Sequence, residues 1–212
     1  MMETMKKRDL LLSLLSGILL ILSFPNFDME VLAWFALVPL FFSINGKGLY
    51  HSFLLGALAG FISFLGILYW IIVAVHTYGN VPLLPSAFIL LLLVVYLSLY
   101  AGAFAWLTRF VQIRTGLRTL LFTPFLWVAL EYLRSFLFTG FPWATLGYSQ
   151  YLNLPLIQMA DITGPYGPSF VLLAVNAALF GMLHSLPKKK FPLKEATIAV
   201  VQIGRASCRE RV

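Results

Sequence analysis

Charge is scarce in this 212-residue sequence: Asp, Glu, Lys and Arg together make up 11% of it, against 60% apolar residues and a mean hydropathy of +0.90. So little polar surface could not keep a domain of this size in water, which excludes a soluble globular fold. Cysteine is scarcer still, with Cys208 alone, and one thiol excludes an intramolecular disulfide framework. The three histidines, His51, His76 and His184, stand far apart, and no Cys/His cluster has metal-ligand spacing, so neither a metal nor another cofactor is expected. Acidic residues number eight against fifteen basic ones, giving a pI of about 9.7. In a chain this apolar the basic excess belongs to loops at one membrane face and does not argue for nucleic acid binding.

Hydrophobic runs are what the sequence has in plenty. They cover about 10–24, 31–44 (short for a bilayer, with Pro39 inside), 49–75, 82–110 (opened by Pro82 and Pro85), 120–138 and 168–186. The fold class that follows is all-α, a polytopic transmembrane helix bundle of about six spans. The opening MMETMKKRD could head a signal peptide, but SFPNFDME has no small residues at A-x-A spacing, so the first run is read as an uncleaved span. The first two runs form either two tight spans or a re-entrant hairpin. GALAG in the third run, with Gly56 and Gly60, is spacing that lets a neighbouring helix come close. With the N-terminus inside, the inner stretches hold Lys6, Lys7, Arg8, Lys47, Arg109, Arg114, Arg118, Lys188, Lys189, Lys190 and Lys194, and the outer stretches hold no lysine or arginine. That asymmetry supports both span count and orientation.

Beyond KKKFPLKEA, the string TIAVV opens either a seventh span or a buried strand. IGRASCRERV then follows with Arg205, Arg209 and Arg211. If a seventh span has begun, these arginines lie in or just outside a helix core, at about 3 kcal/mol each at mid-bilayer. Back-translated, the ten residues read like a common sequencing-library adapter. The expectation is a membrane domain over 1–202 and a non-native tail over 203–212, in which Cys208 has no catalytic role.

The most informative stretch is the outer connection 139–167, TGFPWATLGYSQYLNLPLIQMADITGPYG, with a single charge at Asp161. Trp and Tyr gather at the headgroup level in any membrane protein, so Trp143, Tyr148, Tyr151 and Tyr166 could form a plain aromatic belt. A belt, however, does not need FPW set behind a glycine, nor a segment such as LNLPLIQMA, too short to span and too apolar to float; a lipid-facing functional loop accounts for both. Just before it, Glu131 and Arg134 stand three apart on one helix face, where they can pair and lower the cost of two charges in the membrane. Such a pair serves either function or a structural clamp on the loop. Asn176 and Gln158 are read as polar glue.

The segments FPNFDMEVLAWFALVPLF, ILYWIIVAVHTYGNVPLLP with YLSLYAG, and above all EYLRSFLFTGFPWATLGYSQ with ITGPYGPSF carry a resemblance over about 10–201. The chain resembles the membrane domain of bacterial apolipoprotein N-acyltransferases. The resemblance implies a multi-pass protein of the inner membrane with a cytoplasmic N-terminus and a periplasmic loop 139–167. It also implies an acyl chain passed from a phospholipid, through a cysteine thioester, to the α-amino group of a diacylglyceryl-modified apolipoprotein. The family's Glu-Lys-Cys triad belongs to an α/β nitrilase-like domain that this chain is expected to be without, so no catalytic residue is assigned. As lipid-positioning residues we expect Trp143 and Phe141 as walls, Gly140 and Pro142 as the turn, Tyr148 and Gln150 as groups that hydrogen-bond either a headgroup or ester or, as loop residues, the backbone, and Trp70 approaching from the third run. The rival reading is a non-enzymatic membrane lipid-binding or transport module.

Overall fold

The computed structural model describes residues 5–186 apart from Asn26 and Leu117. The apolar string 197–201, the lysines at 188, 189, 190 and 194, and the tail with Cys208 lie outside the described residues. Among the described residues the chain is helical and has no strand. The α-helices are α1 (Lys7–Ser23), α2 (Val38–Ile44), α3 (Leu49–Ile67), α4 (Trp70–Val73), α5 (Leu83–Thr115), α6 (Thr119–Arg134), α7 (Leu154–Ile157), α8 (Ala160–Thr163) and α9 (Tyr166–Ser185). Three of them, α3, α5 and α9, are long and apolar enough to cross a membrane. At 17 and 16 residues, α1 and α6 are about 25 Å long, a little under the hydrocarbon thickness.

The second apolar run does not form one helix. Glu30–Trp34 is a 3-10 turn, the chain bends through Phe35, and α2 starts afresh at Val38 with Pro39 in its first turn, where its missing N–H costs nothing. The break exposes backbone groups inside the bundle, and side chains of other helices meet them. Asn176 on α9 accepts from the Leu37 N–H and donates to the Ala33 carbonyl, each at 2.8 Å, while Ser16 on α1 donates to the Ala36 carbonyl at 2.7 Å. Irregular backbone at membrane depth is tolerated only when it is satisfied in this way.

The third run also divides. α3 ends at Ile67, Leu68 stays buried, and the short α4 passes into a single π-turn over Ala74–Tyr78; Tyr69, Trp70 and Tyr78 along this stretch are exposed. The fifth run stops at Arg134 rather than continuing to 138, because the chain folds back there and the Phe141 N–H bonds the Arg134 carbonyl at 3.0 Å.

The core of the bundle is α3 against α5, flanked by α1, with α6 and α9 as a second pair. GALAG supplies the close approach. A Cβ on Gly56 would lie 2.5 Å from the Ala101 carbonyl oxygen, and one on Gly60 would lie 2.6 Å from the Ala101 Cβ, so α3 and α5 meet backbone to backbone. At the end where the chain begins, Asp9 accepts from the Lys6 backbone N–H at 2.8 Å and pairs with Lys47 Nζ at 2.7 Å. Arg109 Nε donates to the Lys47 carbonyl at 3.1 Å, its guanidinium reaches Gln112 Oε1 at 2.8 Å, and Gln112 donates to Thr119 Oγ1 at 2.9 Å. The start of α1, the turn before α3, the end of α5 and the start of α6 are thus tied at one end of the bundle, which leaves the 135–165 connection at the other.

Candidate functional site

Where α6 ends, the chain makes a tight turn that only glycine permits. Gly140 has φ +82°, and a Cβ there would overlap the Ser135 carbonyl oxygen. The turn throws Phe138, Pro142 and Trp143 outward while Phe141 folds in against the apolar cluster formed by Phe64, Leu68, Leu90, Val94 and Leu97. Phe141 and Trp143 stack edge to face with centroids 5.2 Å apart, and Trp143 remains 56% exposed. Thr145 Oγ1 closes the turn on the Pro142 carbonyl at 2.8 Å.

Beneath the turn lie Glu131 and Arg134, buried to 5% and 4% exposure. The expected pairing takes an indirect form: both charges line one cavity, and each makes a hydrogen bond to the loop. Glu131 Oε1 accepts from the Leu146 N–H at 2.8 Å, and Arg134 Nη2 donates to the Trp143 carbonyl at 3.2 Å. The guanidinium also lies over the Phe64 ring, 5.4 Å from its centroid. The loop backbone turns a carbonyl toward the cation and an N–H toward the carboxylate, so the two charges hold opposite ends of the segment 143–146.

Gln150 takes the second of its two readings and bonds the backbone. Its side chain is fully buried, and Nε2 donates to the Glu30 carbonyl at 2.9 Å, so it pins the loop to the broken second run and presents nothing to a headgroup. Tyr148, by contrast, is 42% exposed, and Trp70 is 43% exposed on the short α4 beside the α3/α5 end where Phe141 packs. The first half of the connection is folded onto the bundle: Gly147 N–H donates to Ser169 Oγ at 2.8 Å, and Tyr151 donates its hydroxyl proton to Asp28 Oδ1 at 2.6 Å. That hydrogen bond to a carboxylate holds the Tyr151 phenol above its ordinary pKa range. The second half, α7 and α8, leaves Leu152, Leu154 and Ile162 exposed, as an interfacial segment does.

Sequence reasoning passed over Trp127 and Tyr100, which line the same cavity as Glu131 and Arg134. Trp127 had a legible signal, since it stands four residues before Glu131 on the same face of α6. Tyr100 had none, because it arrives from α5. Among the described residues no group of three or more His, Cys, Asp or Glu could hold a metal ion.

A helical bundle with three helices long and apolar enough to cross a membrane, and two buried charges under an aromatic turn, belongs to the class of polytopic membrane proteins. Residues 16–178 match the family described as "Apolipoprotein N-acyltransferase N-terminal domain". The chain belongs to that family. It is 44% identical to the apolipoprotein N-acyltransferase of Geobacter metallireducens over 94% of this chain and 39% of that protein. The corresponding enzymes of Pasteurella multocida and Chlorobaculum tepidum are 34% and 31% identical over 87% and 91% of this chain, and 35% and 34% of their own lengths. The chain thus spans less than two-fifths of the curated relatives it matches.

Proposed function

We propose that this chain is the membrane platform of an apolipoprotein N-acyltransferase, seated in the bacterial inner membrane with about six crossings, its N-terminus cytoplasmic and the 139–167 connection at the periplasmic leaflet. It binds a phospholipid acyl donor and the diacylglyceryl-modified N-terminus of an apolipoprotein, and it presents them to chemistry carried by the part of the relatives that lies beyond this match. The observation that carries the reading is the Gly140–Trp143 turn: an exposed indole and a half-buried phenyl ring, anchored from below by Arg134, at the end of the bundle opposite the Asp9–Lys47 pair.

Trp143 with Phe141 walls the path of an acyl chain, Gly140 and Pro142 hold the turn, and Tyr148 and Trp70 face the same leaflet. Gln150, Glu131 and Arg134 position the loop and touch no lipid. The test is Trp143→Ala in the intact enzyme. An indole that holds an acyl chain contributes about 1–2 kcal/mol, so lipid loading is expected to fall about tenfold with little change in thermal stability. Unchanged acylation kinetics reject the assignment. Orientation has its own measurement: a cysteine placed at Tyr148 is expected to react with a membrane-impermeant maleimide from the periplasmic side, and labelling only after inner-membrane lysis reverses the topology.

A further inference from the structure

Three polar atoms on one face of α6 have no hydrogen-bond partner of ordinary length in the protein: Trp127 Nε1, which faces the Glu131 carboxylate from beyond that length, Glu131 Oε2 and Arg134 Nε. Their residues follow one another at i, i+4 and i+7, one above the next along the helix. All three line a cavity whose open core is about 50 Å³, bounded also by Tyr100, Phe64 and Leu20. Leaving a buried donor or acceptor unmet costs about 1–3 kcal/mol, and more for a charged group, so three in one place mark a site for something that meets them.

The chemistry of that ligand follows from the atoms. Two N–H groups need an acceptor, and one carboxylate oxygen needs a donor. An acyl chain can do neither. An anion would answer the N–H groups but be repelled by the carboxylate, and a cation would do the reverse. Water offers two lone pairs and two O–H groups, and at about 30 Å³ per water the open core holds one or two.

We propose that this cavity is an internal hydration site in which one or two ordered waters bridge Trp127 Nε1, Glu131 Oε2 and Arg134 Nε. The waters join two charges that make no direct contact. Because Glu131 holds Leu146 and Arg134 holds Trp143, the segment carrying the aromatic turn rests on a hydrated seat rather than a dry one. The inference is independent of which lipid the turn receives.

X-ray radiolytic footprinting of the full chain in lipid nanodiscs tests it, since ordered waters yield hydroxyl radicals in place. Trp127 is compared with Trp143 and Trp106, which have the same intrinsic reactivity. With a scavenger in the bulk solvent, oxidation of the exposed Trp143 is expected to be suppressed while that of Trp127 persists, several-fold above that of Trp106. Trp127→Phe keeps the shape of the wall and removes one of about three anchors, and oxidation of Tyr100 is then expected to drop about twofold. Oxidation of Trp127 that is quenched together with Trp143, or that is absent while Trp143 is oxidised without scavenger, shows the cavity dry or filled by an acyl chain and overturns the proposal. Should Trp127→Phe not fold, the scavenger comparison on the unaltered chain decides alone.

Discussion

Replacing Gly140 by alanine asks whether the aromatic turn is the working part of the site. Gly140 sits at φ +82°, ψ 142°, a backbone region almost closed to residues with a Cβ and worth about 1–3 kcal/mol of strain. The added Cβ would also overlap the Ser135 carbonyl oxygen and lie 2.9 Å from its carbon. Those atoms are backbone at the end of α6, so they cannot give way as a flexible side chain could. The cheapest escape is to move the turn, giving up the Phe141 N–H bond to the Arg134 carbonyl and the Arg134 bond to the Trp143 carbonyl, 3.0 and 3.2 Å as they stand. Two hydrogen bonds, one charged, amount to about 2–4 kcal/mol, well below the cost of opening the bundle. Gly116 supplies the control: it too has positive φ, at +66°, but a Cβ there meets nothing within 4 Å, which leaves strain of about 1 kcal/mol and no displacement. In the intact enzyme both variants are expected to unfold within about 10 °C of the parent. Lipid loading is expected to fall on the order of tenfold or more for Gly140→Ala and to be unchanged for Gly116→Ala. Parental loading kinetics in Gly140→Ala refute the claim that the position of the turn matters.

Asn176→Leu removes the partner of the Leu37 N–H and the Ala33 carbonyl, two buried backbone groups; at about 1–2 kcal/mol each, apparent melting in detergent is expected to drop by about 5–15 °C, and a shift under 2 °C would show that the broken run is satisfied otherwise. Lys47→Met strips the buried Asp9 carboxylate of its ammonium partner and is expected to cost about 3–5 kcal/mol, with Asp9→Asn on top restoring part of it; a double-mutant cycle showing no coupling would dismiss the pair. Tyr151 has a raised pKa in the folded chain, so the contribution of its bond to Asp28 is complete below the unfolded phenol's pKa of about 10 and is lost as pH rises through the higher folded value. Tyrosinate absorbance at 295 nm should therefore show a late-titrating component that Tyr151→Phe removes, and identical titrations for the two proteins would contradict it.

Membrane class, helical content and the special character of 139–167 were all readable from local composition. Hydropathy is a sum over neighbours in sequence, and GALAG stated its own purpose because small residues at that spacing have one packing consequence. The interruptions were less legible. Residues 31–44 and 49–75 are apolar enough to read as continuous rods, yet the first is broken at Phe35 and the second at Leu68.

At the site, the FPW turn and the two charges were visible in the sequence, but their partners were not. Gln150 could serve a headgroup or the backbone by sequence alone, and the fold decided for the backbone by setting the Glu30 carbonyl, 120 residues away, against its amide. Glu131 and Arg134 were legible as two facing charges that could serve function or clamp the loop, and the fold gave each a backbone group of the loop, because the turn at Gly140 brings 143–146 back over the end of α6.

What the sequence determined by itself is the solvent: with 11% charged residues and long apolar runs, only a bilayer satisfies it. What the tertiary structure alone decided is which polar groups answer one another. In an apolar medium each buried N–H, carbonyl and charge must find a partner, and for the Leu37 N–H that partner is Asn176, 139 residues further along the chain.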